Sequence, residues 1–561
     1  MQTLRPKLFH ALKHYTRKQF LSDLTAGFIV AIIALPLSIA LALASGVRPE
    51  QGIYTAIAAG FIVSLLGGSR VQIAGPTAAF ATIVAGVAAR SGMEGLVVAT
   101  LMAGAMLILM GLFRLGSLIR YIPLTITVGF TAGIAVSIAI GQAKDFLGLS
   151  YLPGLETVET LDKAKAVAAS LGTFNWQAMA VGLAALAVLI VWPRVSKKIP
   201  GSLIAVLIGV GMVQLFHMNV NTIGDLYQIS GGLPKITLYP VSVGKIIALF
   251  PDAVTIALLA AVESLLSCVV ADGMINSRHN SNMELVAQGL ANIGSVLLGG
   301  IPATGAIART AANVKNGGRT PVAGMVHSAV LLVILLALMP YAALIPMPVI
   351  AAILFVVAYN MSEWRTFARL CRQAPKSDIL VLVTTFVLTV AFDLVVAIGV
   401  GVILVCILFV QRMSRQCDLR AWVDADQVEM GSGIAIPAGT RVFELDGPLF
   451  FGVADKLNKG LFIDGCTCLI LRMRSVSCID VTALNALEQI YEGCRKRGIT
   501  MILSHMNAQP EAMLHKAGFL AKIGPDNCCK NIRQALARAE ALTGGPAETG
   551  FAQPAPDGSA A

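Results

Sequence analysis

The chain has 561 residues, of which 56% are hydrophobic and 13% charged, against about 25% charged in a soluble globular domain. A mean hydropathy of +0.77 excludes a water-soluble enzyme, a disordered chain and a nucleic-acid binder, although the net charge is +11. Basic charge on so apolar a chain reads as the cytoplasmic loops of a membrane protein, and 53 glycines suit close packing of membrane helices.

Residues 1–22 are basic and polar and form a cytoplasmic N-terminal segment. The apolar run after them is too long for the core of a cleavable signal peptide. About 20 apolar residues span a bilayer. On that scale long runs stand at 24–44, 52–67, 94–113, 122–142, 176–193, 201–216, 253–274, 284–300, 321–340, 378–391 and 394–411. Shorter or broken runs stand at 76–89, 304–314 and 344–359. Residues 23–411 therefore predict an all-α polytopic membrane domain of about 14 segments.

The positive-inside rule orients it. With the N-terminus inside, Arg5, Lys7, Arg70, Arg114, Arg194, Arg278, Arg319, Arg365 and Arg369 face the cytoplasm. The alternate loops around 145–174 and 218–252 carry Glu156, Asp162, Asp225 and Asp252. Both termini are then cytoplasmic, as in a multi-pass protein of the inner membrane, with fourteen crossings or with twelve if two of the broken runs are loops.

The broken runs, 73-IAGPTAAFATIVAG-86 and 301-IPATGAIARTAANV-314, are third and tenth in order. Each is thus third in a half of seven segments. An odd number inverts the second half, and Gly/Pro-interrupted segments at matching places in two halves point to a transporter site. A helix starting inside the membrane leaves its first N–H groups unpaired and carries roughly +0.5 charge. Two facing starts make a pocket for a small anion. Pro76 and Pro302 suit a first helical turn, Thr77 and Thr304 can cap or donate, and Ala78, Gly305 and Ala306 let the backbone come close. The alternative is a pair of kinked helices packed through small residues.

Few ionisable residues lie inside the apolar runs. Glu263 lies within 253–274, where a carboxylate is costly and marks function by default; a carboxyl there suits reversible protonation. Ser267, one turn on, shares its face, and the pair could contact substrate or a coupling cation. The alternative for Glu263 is a bond to a neighbouring helix. Arg309 lies roughly one turn past the Thr304–Ala306 start and can add positive charge to the pocket; alternatively it pairs with Glu263. Asp393 falls between the last two runs.

From 412 the hydropathy falls. Strands are expected at 440–447, 467–473 and 500–506, with helices at 452–461, 480–497, 509–517 and 530–542. This is a small α/β domain over 412–543 in which Asp480 caps a helix. The tail 544–561 is polar and Pro-rich and reads as disordered. The ten cysteines lack zinc-ligand spacing with histidine and read as reduced thiols. No metal, cofactor or catalytic constellation is expected.

These features together resemble the SulP (sulfate permease) family of anion transporters over roughly residues 20–540. The carrying stretches include 23-DLTAGFIVAIIALPLSIALALASGV-47, 67-GGSRVQIAGPTAAF-80, 263-ESLLSCVVADGM-274 and 301-IPATGAIARTAANVKNGGRTPVAG-324. The stretches 442-VFELDGPLFFGVA-454 and 477-SCIDVTALNAL-487 look like a STAS domain. The match looks nearest to a bacterial branch that carries C4-dicarboxylates. The resemblance implies a seven-plus-seven inverted repeat with core and gate domains, and a homodimer. It implies an elevator movement of an anion (sulfate, bicarbonate or dicarboxylate) bound by Pro76, Thr77, Ala78, Thr304, Gly305, Ala306 and Arg309. Ala34 and Leu37 match a lining stretch that is polar in some relatives. Glu263 matches the acidic position that couples protons or sodium. The position that carries a phosphorylatable serine in anti-sigma-factor antagonists is Val481 here. A cytoplasmic protein partner for the STAS-like domain fits the same resemblance. The competing functions are an anion channel or uncoupled exchanger, a nucleobase permease, and a membrane-anchored signalling scaffold.

Overall fold

The computed structural model describes residues 4–13, 15–117, 123–152, 159–196, 199–227, 232, 236, 242–392, 394–421, 436–451, 457 and 465–544. The expected helix 452–461 (Leu457 apart), the tail beyond Gly544 and Asp393 lie outside them. The chain divides into two units, Met1–Ile403 and Leu404–Ala561.

In the first unit the chain runs α1 (Lys7–Leu12), α2 (Arg17–Ala44), α3 (Pro49–Leu66), β1 (Ala74–Gly75), α4 (Ala78–Leu112), α5 (Leu124–Leu147), α6 (Thr160–Ala169), α7 (Trp176–Val195), α8 (Gly201–Phe216) and α9 (Ile223–Leu226). It continues through α10 (Val243–Ile275), α11 (Ser281–Leu297), β2 (Thr304–Gly305), α12 (Ile307–Lys315), α13 (Val322–Leu338), α14 (Met347–Met361), α15 (Trp364–Gln373) and α16 (Lys376–Ala391), and α17 (Leu394–Gln416) is divided by the unit boundary after Ile403. Every apolar run singled out above lies largely within one of these helices. Eight of the described helices are long and apolar enough to cross a membrane by length and composition. The runs 76–89 and 94–113 form one helix, α4, broken at Gly92 with φ 67° and ψ −176°. Thr16, Asn175, Ser242 and Asn280 accept from first-turn N–H groups of α2, α7, α10 and α11, which satisfies one or two of the unpaired donors at each helix start.

The helices pack in two groups. In one, α4 lies against α10 and α11, α3 against α11 and α13, α2 against α13, and α12 against α10. In the other, α5 lies against α14 and α16, and α7 against α8 and α14. Small residues set the contacts. A methyl group at Gly104 of α4 would sit 2.8 Å from the carbonyl of Gly289 on α11, so this crossing requires glycine.

In the second unit a five-stranded sheet has the order β3 (Asp418–Ala421), β4 (Thr440–Asp446), β5 (Cys468–Ser475), β6 (Thr500–Ser504), β7 (Cys528–Cys529). The β3–β4 pair is antiparallel and the others are parallel. The helices are α18 (Val481–Lys496), α19 (Ala508–Lys516), α20 (Phe519–Ile523) and α21 (Ile532–Thr543). Strand side chains alternate between two cores. Phe443, Leu469, Leu471 and Leu503 pack with Leu487, Leu514 and Phe519, while Val442, Ile470 and Ile502 pack with Ile532 and Leu536. A parallel sheet covered on both faces needs this apolar content. Strands β3 and β7 were not expected, since neither stretch carries an apolar β-branched run.

Candidate functional site

The two broken segments meet. Ala74 pairs with Gly305 and Gly75 with Thr304 in a two-residue antiparallel ladder, continued by Ala306 N–H donating to Ile73 O at 2.8 Å. An extended backbone inside an apolar unit must find internal partners, and each segment supplies the other's. The helices α4 and α12 start where the ladder ends.

This corrects several expectations. Neither Pro76 nor Pro302 lies in a first helical turn: Pro76 precedes the cap position of α4, and Pro302 stands ahead of β2. Helix α12 begins at Ile307 rather than within Thr304–Ala306, so Arg309 lies in its first turn. Of the two roles open to Thr77 and Thr304, capping or donating, the hydroxyls take the second: Thr77 stands at the cap position of α4 without accepting from its first turn, and Thr304 lies in β2 and donates to Ala260 O. The Thr77 hydroxyl donates instead to Glu263 Oε2 at 2.9 Å. Thr304 Oγ1 meets Ser264 Oγ at 2.8 Å. The reason is reach: each hydroxyl faces α10, where stronger acceptors stand.

Helix α10 holds both helix starts through adjacent residues. Glu263 takes Thr77. Ser264 takes Thr304 and also accepts from Gly305 N–H at 3.0 Å. Gln72 donates to Ser264 O at 3.2 Å and accepts from Ser267 Oγ at 2.9 Å. Ser267 Oγ also lies 3.3 Å from Thr310 Oγ1, so its hydroxyl is used in a buried network apart from the Glu263 carboxyl. Thr304, Gly305, Ala306, Ala78 and Pro76 are buried, whereas Thr77 and Glu263 keep part of their surface accessible.

Arg309 is 2% exposed. Its Nη2 donates to Pro76 O at 3.0 Å, which ties α12 to the other broken segment. Its Nε and Nη1 have no partner among the described residues. No ion pair joins it to Glu263 among the described residues. Ala34 is buried with Ala31, Ala56 and Leu331, Leu37 is half-buried, and Ala56 in turn borders Gly75.

Sequence reasoning missed Gln72, Ser264, Glu284 and His327. Gln72 and Ser264 had no signal beyond being polar in apolar surroundings. Glu284 stood at the edge of its run; buried, it accepts from Gly68 and Ser69 N–H at 2.9 and 3.1 Å and closes that turn. His327 was legible as the one titratable residue inside the run 321–340.

A mostly helical membrane domain followed by a small α/β domain is the class that the fold defines. The chain matches the sulfate permease family over residues 20–385 and the STAS domain over residues 434–539. It is 41% identical to the putative sulfate transporter YvdB of Bacillus subtilis, covering 91% of this chain and 96% of that protein. It is 31% identical to the bicarbonate transporter BicA of a Picosynechococcus species, over 92% of this chain and 94% of that one. The solved structure of murine Solute Carrier 26 family member A9, described as an anion transporter, shares the fold at a TM-score of 0.84 and 19% identity, covering 96% of this chain and 94% of that chain. The chain belongs to the sulfate permease family, with a C-terminal STAS domain, and is a membrane transporter rather than an enzyme.

Proposed function

We propose that this protein is a secondary active carrier of small anions. The observation that carries the reading is the Arg309 guanidinium, buried beside two uncapped helix starts with N–H groups on Nε and Nη1 unpaired. A desolvated cation with unused donors is costly unless an anion completes it. Backbone N–H groups at Ala78 and Ile307 add donors and positive helix-end potential. Pro76, Thr77, Thr304, Gly305 and Ala306 frame the pocket, and Ala34 and Leu37 stand on the helix behind it.

Sulfate and bicarbonate, named for the relatives, and C4-dicarboxylates are oxyanions that such donors suit. Glu263 couples the movement to protons or sodium: among the described residues its one hydrogen-bond partner is Thr77, which leaves carboxylate oxygen for a cation. The packing of most helices within one of two groups, which meet through α2 and α4 on one side and α5, α8 and α14 on the other, supports an elevator, in which the group holding α4, α10 and α12 moves against the group holding α5, α7 and α14. Both termini face the cytoplasm of the inner membrane in this reading, and the carrier is a homodimer whose C-terminal domain takes a cytoplasmic protein partner.

The test is uptake of radiolabelled sulfate, bicarbonate and succinate by the purified chain in liposomes, under imposed pH and sodium gradients. Gradient-driven accumulation of at least one anion is expected. Absence of movement of all of them defeats the reading.

A further inference from the structure

One buried group near the site has no role in that account. His327 on α13 is 0% exposed and its neighbour Ser328 2%. Both ring nitrogens of His327 and the Ser328 hydroxyl lack partners among the described residues, as do Nε and Nη1 of Arg309. Buried polar atoms are almost always satisfied, so five unpaired atoms in one region call for a common explanation.

They share a wall. A methyl group at Gly60 of α3 would sit 2.8 Å from Ser328 Oγ, 3.5 Å from His327 Nδ1 and 3.4 Å from Ala74 O. A methyl group at Gly75 would collide with Arg309 Nη1 and lie 3.4 Å from Ala56 Cα. Ala56 and Gly60 are one turn apart on α3, about 6 Å along its axis. Arg309 Nη1 and the His327 ring therefore both approach this stretch of α3.

We infer that one bound water links Arg309 Nη1 to the His327 ring, the water accepting from Nη1 and donating to the ring, and that His327 is the positioning residue that leaves the Nε edge to the anion. This rests on the anion site proposed above. A neutral imidazole has one acceptor nitrogen and one donor, so it can accept from the linking water without adding a second buried charge. Ser328 Oγ gives a water in the gap a further partner, and a buried water needs two to four. With Pro76 O on Nη2 and the water held by His327 on Nη1, the guanidinium plane is fixed from two sides.

The test uses the full chain in proteoliposomes with radiolabelled sulfate and bicarbonate as probes. His327→Leu should raise KM about tenfold or more, the loss of one charged hydrogen bond, with little change in the maximal rate. His327→Gln, which restores an acceptor, should recover most of it. In an Arg309→Gln background, His327→Leu should change KM no further, since the interaction it removes is already gone. An unchanged KM in a well-folded His327→Leu protein, or additive effects in the double variant, overturns the inference. Should the leucine variant not fold, His327→Asn, whose amide is too short to reach, replaces it with the same expected rise. An Arg309→Gln protein with unaltered KM defeats the anion-site reading itself. A clear Arg309 effect without a His327 effect defeats only the positioning role.

Discussion

Ser264 carries more of the site's geometry than its size implies, because one hydroxyl serves both Thr304 and the Gly305 N–H. Ser264→Ala leaves that buried N–H without an acceptor, at a cost of about 1–3 kcal/mol. We expect a lower melting temperature in detergent and reduced uptake together. Gly75→Ala acts differently: its methyl group collides with Arg309 Nη1 and pushes the guanidinium off its bond to Pro76 O. The expected outcome is a raised anion KM with a melting temperature close to that of the parent protein. Glu263→Gln keeps an oxygen for Thr77 but removes the charge. Uptake measured at two pH values and two sodium concentrations should lose its dependence on the coupling ion while the protein still folds. Glu263 and Arg309 were legible in the sequence because ionisable groups in apolar runs stand out. Ser264 and Gln72 were not, since their importance lies in which partner each meets.

The broken segments were legible as elements, and their internal form was not. Prolines and glycines announced that helix could not continue through 73–77 or 301–306. They did not announce that the gaps pair with each other, because Ala74 and Gly305 are brought opposite only by the packing of α3, α4, α10 and α12. The kink in α4 is a second such feature. Gly92 has φ 67° and ψ −176°, a region that is essentially glycine-only and costs other residues about 1–3 kcal/mol. A methyl group there meets nothing within 4 Å, so Gly92→Ala should lower the melting temperature through backbone strain alone. In the α/β unit Asp480 behaves as its position before α18 predicted, accepting from Ala483 N–H at 2.8 Å and also from Phe451 N–H at 2.9 Å. Asp480→Ala should cost about 0.5–2 kcal/mol, seen as faster amide exchange over residues 481–485 in the full chain.

Across the whole molecule the environments of the cysteines differ enough to be read chemically. Burial pushes the thiols of Cys468 and Cys494 up to about 12 and about 11, so almost no thiolate is present at neutral pH. Cys478 is exposed. Alkylation of the folded protein near pH 8, read by mass spectrometry, should label Cys478 and spare Cys468 and Cys494 until the chain is denatured. The sequence by itself determined a membrane domain with a small α/β domain behind it, and two interrupted helices near an acid and a base. Those are matters of composition measured against bilayer thickness and of residues that cannot continue a helix, and both act over a few turns of chain. The tertiary structure alone decided that Thr77 meets a carboxylate 186 residues away, that α10 grips both helix starts, and that a lone histidine of α13 lines the wall that Arg309 lines. Those contacts depend on which helix faces pack, and that is settled by the fit of small residues across many crossings at once.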